Sequence, residues 1–404
     1  MQPADFVPDA PGDLVLLPQT VTPAQLRDLE AGIRMVPVHA YAFVPHPLPP
    51  RLTYDDGIVA ALGRAMLALG RLDQVVRDLA NPYVLVRPFL RREAVTSSRI
   101  EGMRAGIADL ALFEATGIAD QDRPDDVREV ENYLKALEYA LAQPPDLPIS
   151  IGLVRELHQL LLEGVRGGLL ESGQIRTRQN YIGGHGDRIE VARYVPPPPG
   201  ALVGLLSALE QFIAGESAVP PLVRIALVHS QFEAIHPFLH GNGRVGRLLV
   251  ALLLQRWELM EHPVVDLSAY VLRHRDAYVD GLLRVSQQGD WRGWVSFFLD
   301  AFEFQANDAF RRSRRLLALK QQYQDMLARE IRTGKPDKLV DYLFEHLTAD
   351  IRGAAQILSV TYPTAQRLVG RLEEYGILEE ATGRRRDRVW RARQIIAVLD
   401  DKEP

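Results

Sequence analysis

Between Pro221 and Trp257 the chain carries two apolar stretches, "PLVRIALVHSQFEAI" and "RVGRLLVALLLQRW", joined by "HPFLHGNG". In the first, Leu222, Ile225, Ala226, Val228, Phe232 and Ile235 recur at helical spacing on one broad face. In the second, "LLVALLLQRW" reads as a buried helix, because Gln255 and Arg256 cut it too short to span a bilayer. Two such helices separated by eight residues must meet at a tight corner inside a helical core. That requirement constrains the fold more than any other feature of the chain.

The corner itself is chemically loaded. Gly241-Asn242-Gly243 feeds straight into a helix N-terminus, where backbone N–H groups converge on an anion and the helix dipole adds partial positive charge. Arg244 and Arg247 share a helix face and supply planar donors suited to phosphate oxygens. Pro237 stiffens the turn and Phe238 can anchor it in the core. His236, at the start of the loop, is placed to act as a general base. A tight turn beside a satisfied core histidine is the bland alternative, weakened by the coincidence of all these parts within twelve residues.

Composition sets broad limits. The 404 residues suffice for two or three domains, and 47% hydrophobic with 25% charged residues is ordinary for a folded protein. A net charge of −5 argues against a chain that coats nucleic acid or membranes along its length. Without cysteine there is no disulfide, thiolate catalysis or thiolate metal site. The N-terminus lacks the basic and apolar regions of a signal peptide, so a cytoplasmic protein with no membrane partner is expected.

Residues 1 to about 55 are proline-rich and irregular, with an extended piece at "YAFVPHPLPPRL". Helices are expected at 55–80, 105–117, 125–143, 150–166, 200–214, 220–235, 244–260, 268–288 and from 291 to about 332. The segment "YIGGHGDRIEVARYVPPPPG" interrupts them as a short β-hairpin followed by a proline strut. "RTGKPDK" reads as a linker, and beyond it three helical patterns and two β-like runs around Thr382-Gly383 follow the order of a winged helix. The expected division is 1–120, 121–331 and 332–404, and the fold class is mostly α with a short hairpin flap and a small C-terminal winged helix-turn-helix domain.

"HPFLHGNGRVGR" resembles the active-site motif of Fic proteins, His-Pro-Phe-x-(Asp/Glu)-Gly-Asn-Gly-Arg-x-x-Arg. "REAVTSSRIEG" resembles that family's inhibitory-helix motif (Ser/Thr)-x-x-x-Glu-(Gly/Asn), here Ser97 to Gly102. "YIGGHG" and "RYVPPPP" resemble its target-docking flap, and "SAYVLRHRDAYVDGLLRVSQQGDWRGW" the helix that closes its adenine pocket. The resemblance spans roughly residues 30 to 330. It implies a helical Fic core and transfer of AMP from ATP to a Ser, Thr or Tyr hydroxyl of a target protein, with self-modification expected. His236 would take the hydroxyl proton, and Gly241, Asn242, Gly243, Arg244, Gly246 and Arg247 would hold the phosphates. Tyr278 would contact the adenosine, although Val279 stands where the family often has a second aromatic. Ile182, Gly183, Gly184 and His185 would clamp the target segment by strand pairing. Ser97 and Glu101, four residues apart on one helix face, would restrain the enzyme by pairing Glu101 with Arg247. The family's frequent dimers make a homodimer one of the implied partners.

His240 departs from the motif, which has Asp or Glu there to hold Mg²⁺. Mg²⁺ prefers hard oxygen ligands, and a neutral imidazole replaces them poorly. The site could take Mn²⁺ or hold Mg²⁺ through phosphates and water. Alternatively it could transfer weakly as a nucleotide-binding protein, or use His240⁺ to neutralise phosphate charge. At the C-terminus, residues 384–393 carry six arginines against one aspartate. That is a footprint for DNA phosphates, or alternatively a protein-docking surface. A DNA-binding regulator that senses nucleotide without efficient transfer is therefore the competing expectation.

Overall fold

The computed structural model describes residues 2–17, 40–119, 124–165, 171–183, 189–330 and 336–400. Helices dominate. The N-terminal segment departs from the irregular chain expected: β1 (Gly12–Leu16) pairs antiparallel with β2 (Tyr41–Pro45), Gly12 opposite Pro45 and Leu16 opposite Tyr41. Prolines bracket the two strands rather than interrupt their ladder, so the proline content misled at this point.

Helix α1 (Asp56–Arg77) starts where the Asp55 carboxylate accepts from the Ile58 N–H at 2.9 Å. Its buried stripe, Ile58, Ala61, Ala65, Leu69, Leu72 and Val76, lies against α11 (Trp291–Glu330), a helix of 40 residues, about 60 Å long. Helix α2 (Tyr83–Ile100) is buried almost throughout, including Arg91, Arg92 and Glu93. It shows no apolar–polar alternation, which is why helical periodicity alone does not reveal its extent. Helices α3 (Ile107–Thr116), α4 (Pro124–Leu141) and α5 (Ile151–Leu161) follow, then α6 (Leu202–Ala214).

The expected corner forms between α7 (Pro221–Ile235) and α8 (Asn242–Arg256). Both are buried on nearly every face, and they form the centre of the molecule. Trp294 of α11 is fully buried and donates its indole N–H to the Ala226 carbonyl at 2.8 Å, fixing α11 to α7. The helix expected at 268–288 is two, α9 (Leu267–Arg273) and α10 (Arg275–Gln288), broken at His274.

In the flap, Ile182 and Tyr194 form an isolated antiparallel bridge, and a 3-10 turn lies at Ile189–Val191. Gly184 and His185 lie outside the described residues. After α11 come α12 (Pro336–His346), β3 (Thr348–Asp350), α13 (Ile351–Leu358), α14 (Tyr362–Glu374), β4 (Leu378–Glu380), β5 (Val389–Ala392) and α15 (Arg393–Asp400). The sheet order is β3-β5-β4, all antiparallel. β3 and α15 add to the elements expected there. Buried residues run as one continuous cluster from Ile58 to Leu399, so this C-terminal region shares its core with the rest of the chain. Among the described residues, no helix is long and apolar enough to cross a membrane.

Candidate active site

His236 ends α7 with φ 49° and ψ 62°, a left-handed conformation uncommon outside glycine. That turn swings the imidazole out of the helix line and into a cavity of about 230 Å³. Arg176, fully buried, holds the corner from behind. Its guanidinium donates to the carbonyls of His236 at 2.9 Å and Pro197 at 2.6 Å, and its backbone N–H donates to Pro237. One buried cation thus ties the His236 loop to the proline strut, and burial lowers its pKa to about 10.

Asn242 closes the loop on itself. Its side chain accepts from the Phe238 N–H at 2.9 Å and donates to the Phe238 carbonyl at 2.8 Å. Expected to touch phosphate, the Asn242 side chain here shapes the loop that presents it. His158 of α5 stacks on Phe238 with ring centroids 3.8 Å apart. Its Nδ1 accepts from the Gly173 N–H, so Nε2 carries the proton and donates to the His240 carbonyl at 3.0 Å. Gly241 adopts φ 76° and leads into α8, whose N-terminus has no side-chain cap. The first N–H groups of α8 are therefore available to an anion.

Arg247 is buried within α8 and gripped by the end of α2. Its Nε donates to Ser97 Oγ at 2.8 Å, and one terminal nitrogen donates to the Ser97 carbonyl at 3.0 Å and to Glu101 Oε1 at 2.9 Å. Burial acts to raise the pKa of the Glu101 carboxyl, but the guanidinium outweighs it and holds the carboxyl below its ordinary value. The Glu101 side chain remains 36% exposed, so the contact can be broken from the cavity. Gly243 lies close beneath this ion pair: a Cβ there would lie 2.9 Å from Glu101 Oε1 and 3.0 Å from an Arg247 nitrogen. Arg244 is held by Glu129 of α4 at 2.8 Å.

Burial lowers the pKa of His236 to about 4, with the neighbouring Arg176 charge acting the same way, so the ring is neutral near pH 7. Its Nδ1 is buried, which leaves Nε2 as the nitrogen open to the cavity. Tyr278 also lines the cavity, but its hydroxyl is engaged by His229 Nε2 at 2.8 Å, while His229 Nδ1 faces the Gly246 carbonyl at 3.2 Å. The remaining walls include Glu233, Ser230, Val279, Leu282 and Ser286. Burial raises the Glu233 carboxyl pKa to about 7.

His236, Gly243, Arg247, Tyr278, Glu101 and Ile182 thus share one cavity. Arg176, His158, His229 and Glu129 partner the site residues and Glu233 lines the cavity, and neither periodicity nor motif singles them out. Each looks like an ordinary helix or loop residue until its burial is seen. His240 is exposed and is not among the residues that line the cavity. Among the described residues, no group of three or more His, Asp or Glu is arranged to hold a metal ion, and the nearby Glu101 and Glu129 are occupied by arginines. The corner therefore does not fit a protein-held Mg²⁺.

Fold and site together define a helical protein whose helix–loop corner presents an uncapped helix N-terminus and an arginine ion-paired to an acidic side chain. Residues 59–142 match the Fic/DOC family N-terminal domain and residues 148–254 the Fic/DOC family domain. The protein adenylyltransferase Fic of Drosophila willistoni is 33% identical over 208 residues, half of this chain and 38% of that protein. Its Drosophila melanogaster counterpart is 32% identical over 210 residues, half of this chain and 39% of that protein. The match thus covers well under half the length of these relatives. A Fic family protein from Desulfovibrio desulfuricans shares the fold with TM-score 0.57 at 21% identity, over 85% of this chain and 98% of its own. Fic-1 (aa134–508) from Caenorhabditis elegans does so with TM-score 0.51 at 21% identity, over 65% and 74% respectively. The chain belongs to the Fic family.

Proposed function

We propose that this protein is an autoinhibited adenylyltransferase that moves AMP from ATP to Ser, Thr or Tyr hydroxyls of a target protein, itself included. The arrangement that carries this proposal is Arg247, held by Ser97 and Glu101 in the same cavity as a neutral His236. His236 Nε2 takes the proton of the target hydroxyl. The hydroxyl oxygen bonds to the α-phosphorus, the bond from that phosphorus to the bridging oxygen breaks, and pyrophosphate leaves. The N–H groups at the start of α8, with Arg244 and Arg247, offset the developing charge. In the latched state Glu101 holds the guanidinium that the outer phosphates require. Ile182, whose backbone bridges to Tyr194 and whose side chain is exposed at the cavity, offers an edge for an extended target segment. ATP labelled at the α-phosphate is expected to label the protein, and ATP labelled at the γ-phosphate is not. Equal labelling from both, or α-labelling that survives His236→Ala, contradicts the proposal.

A second role, DNA contact at the C-terminus, is supported by a specific observation. The elements from α12 to β5 follow the order of a winged helix, and Tyr362, Thr364, Gln366, Arg367 and Arg371 of α14 face outward beside exposed Arg384, Arg385 and Arg386. Loss of a gel shift on removing these three arginine charges, with thermal stability unchanged, would support it. An unaltered shift or none at any salt concentration would dismiss it.

A further inference from the structure

Glu233 is a buried carboxyl on the cavity wall, and the transfer step described above does not use it. Its Oε1 is buried against Gly246 with no hydrogen-bond partner among the described residues, an added Cβ there coming within 2.4 Å of it, which leaves Oε2 as the oxygen that can face the cavity. The nearby donors are engaged elsewhere: Tyr278 with His229, and Arg247 with Ser97 and Glu101. An acceptor left bare in such a place is costly unless a ligand donates to it.

Its position along α7 indicates which part of a ligand that is. His236, the proposed base, marks the α-phosphorus. Glu233 stands three residues back and Ser230 six, about 4.5 and 9 Å along the helix axis. Both line the cavity, and so do Leu282 and Ser286. In a nucleotide the sugar follows the α-phosphate and the base follows the sugar. A phosphate oxygen has no hydrogen to give a carboxylate, whereas ribose hydroxyls do, and carboxylates elsewhere hold ribose in this way.

We propose that Glu233 accepts a hydrogen bond from a ribose hydroxyl of the nucleotide and makes the site selective for ribonucleotides over deoxyribonucleotides. This rests on the adenylyltransferase reading of the cavity and adds a residue that sets its substrate specificity.

Calorimetric titration of the full chain tests it, with Glu101→Gly as the parent so that the latch does not mask binding. ATP, 2′-deoxy-ATP, 3′-deoxy-ATP and GTP are the probes. The parent is expected to bind ATP about tenfold more tightly than at least one deoxy analogue, the scale of one buried hydrogen bond. Adding Glu233→Ala brings the two within about twofold, chiefly by weakening ATP. The isosteric Glu233→Gln, which keeps one acceptor oxygen, falls between. Discrimination that survives both substitutions, or a change confined to ATP against GTP, overturns the inference. ATP binding by the parent without any sugar preference overturns it alone, while absence of all nucleotide binding overturns the adenylyltransferase reading with it.

Discussion

Arg247 reaches Ser97 twice, through Oγ at 2.8 Å and through the carbonyl at 3.0 Å, from a helix 150 residues further along the chain. Ser97 is completely buried, so this contact sets where the guanidinium can go even when Glu101 moves. Ser97→Ala removes the side-chain acceptor and leaves the carbonyl. Transfer by the variant is expected to rise severalfold over wild type, less than for loss of Glu101, as read by incorporation of labelled AMP. An unchanged or lowered rate would mean that Ser97 plays no part in the latch.

Helix α2 is braced from its far side by the C-terminal region. Arg91 donates to the Glu345 carbonyl at 2.7 Å and makes a two-pronged contact with Glu114, while Arg92 donates to the Leu399 carbonyl at 3.1 Å. Arg91→Ala leaves those acceptors without their cation and is expected to cost about 2–4 kcal/mol in chemical denaturation. Because α2 also carries Ser97 and Glu101, basal transfer should rise along with the loss of stability. A destabilised variant with unchanged basal transfer would uncouple the brace from the latch.

The pH dependence of stability follows from three buried imidazoles. Burial depresses His158 and His236 to about 4 and His229 to about 3. Below the ordinary value near 6.5 the unfolded chain binds protons that the folded chain refuses. Their contribution is therefore complete above about pH 6.5 and lost as pH falls toward 4. Glu93 and Glu233, with raised values, act in the opposite sense over part of that range. His158→Gln removes one imidazole. The stability gap between wild type and variant should narrow by about 1.4 kcal/mol per pH unit between 6.5 and 4. A constant gap in denaturation series across that range contradicts the assignment of His158 as a neutral structural ring.

Gly246 of α8 faces Glu233 and His229 of α7. A Cβ there would sit 2.4 Å from Glu233 Oε1 and 3.2 Å from the His229 ring, which is itself held by Tyr278. Gly246→Ala is expected to destabilise the fold by about 1–3 kcal/mol, the usual scale for overpacking. A neutral or stabilising result would show that the Glu233 side chain and the His229 ring give way without cost.

Much of this fold is legible in the sequence, and the exceptions have physical causes. The α7–α8 corner is visible because apolar spacing, glycines and arginines coincide there. The C-terminal elements are visible because each helix keeps a solvent face. Helix α2 is hard to see because both its faces are buried and its polar residues point into protein. The positions of Ser97, Glu101, His236 and Arg247 are expected from motif resemblance; Glu101, His236 and Arg247 line one cavity, and Ser97 bonds Arg247 behind it. Arg176 and His158 are not legible: a buried arginine and a surface arginine read alike until the chain closes around one of them. Asn242 is a different case, since its residue type suits a phosphate contact and its geometry turns the side chain back onto Phe238.

In the proposed mechanism Glu101 restrains a competent His236 centre. Initial rates of AMP incorporation from α-labelled ATP, measured on wild type, Glu101→Gly and Glu101→Gly/His236→Ala, test it most directly. Glu101→Gly is expected to incorporate AMP at least about tenfold faster than wild type, the scale of one charged hydrogen bond, and the double variant to lose that rate. Equal rates in wild type and Glu101→Gly, or undiminished labelling in the double variant, would contradict it.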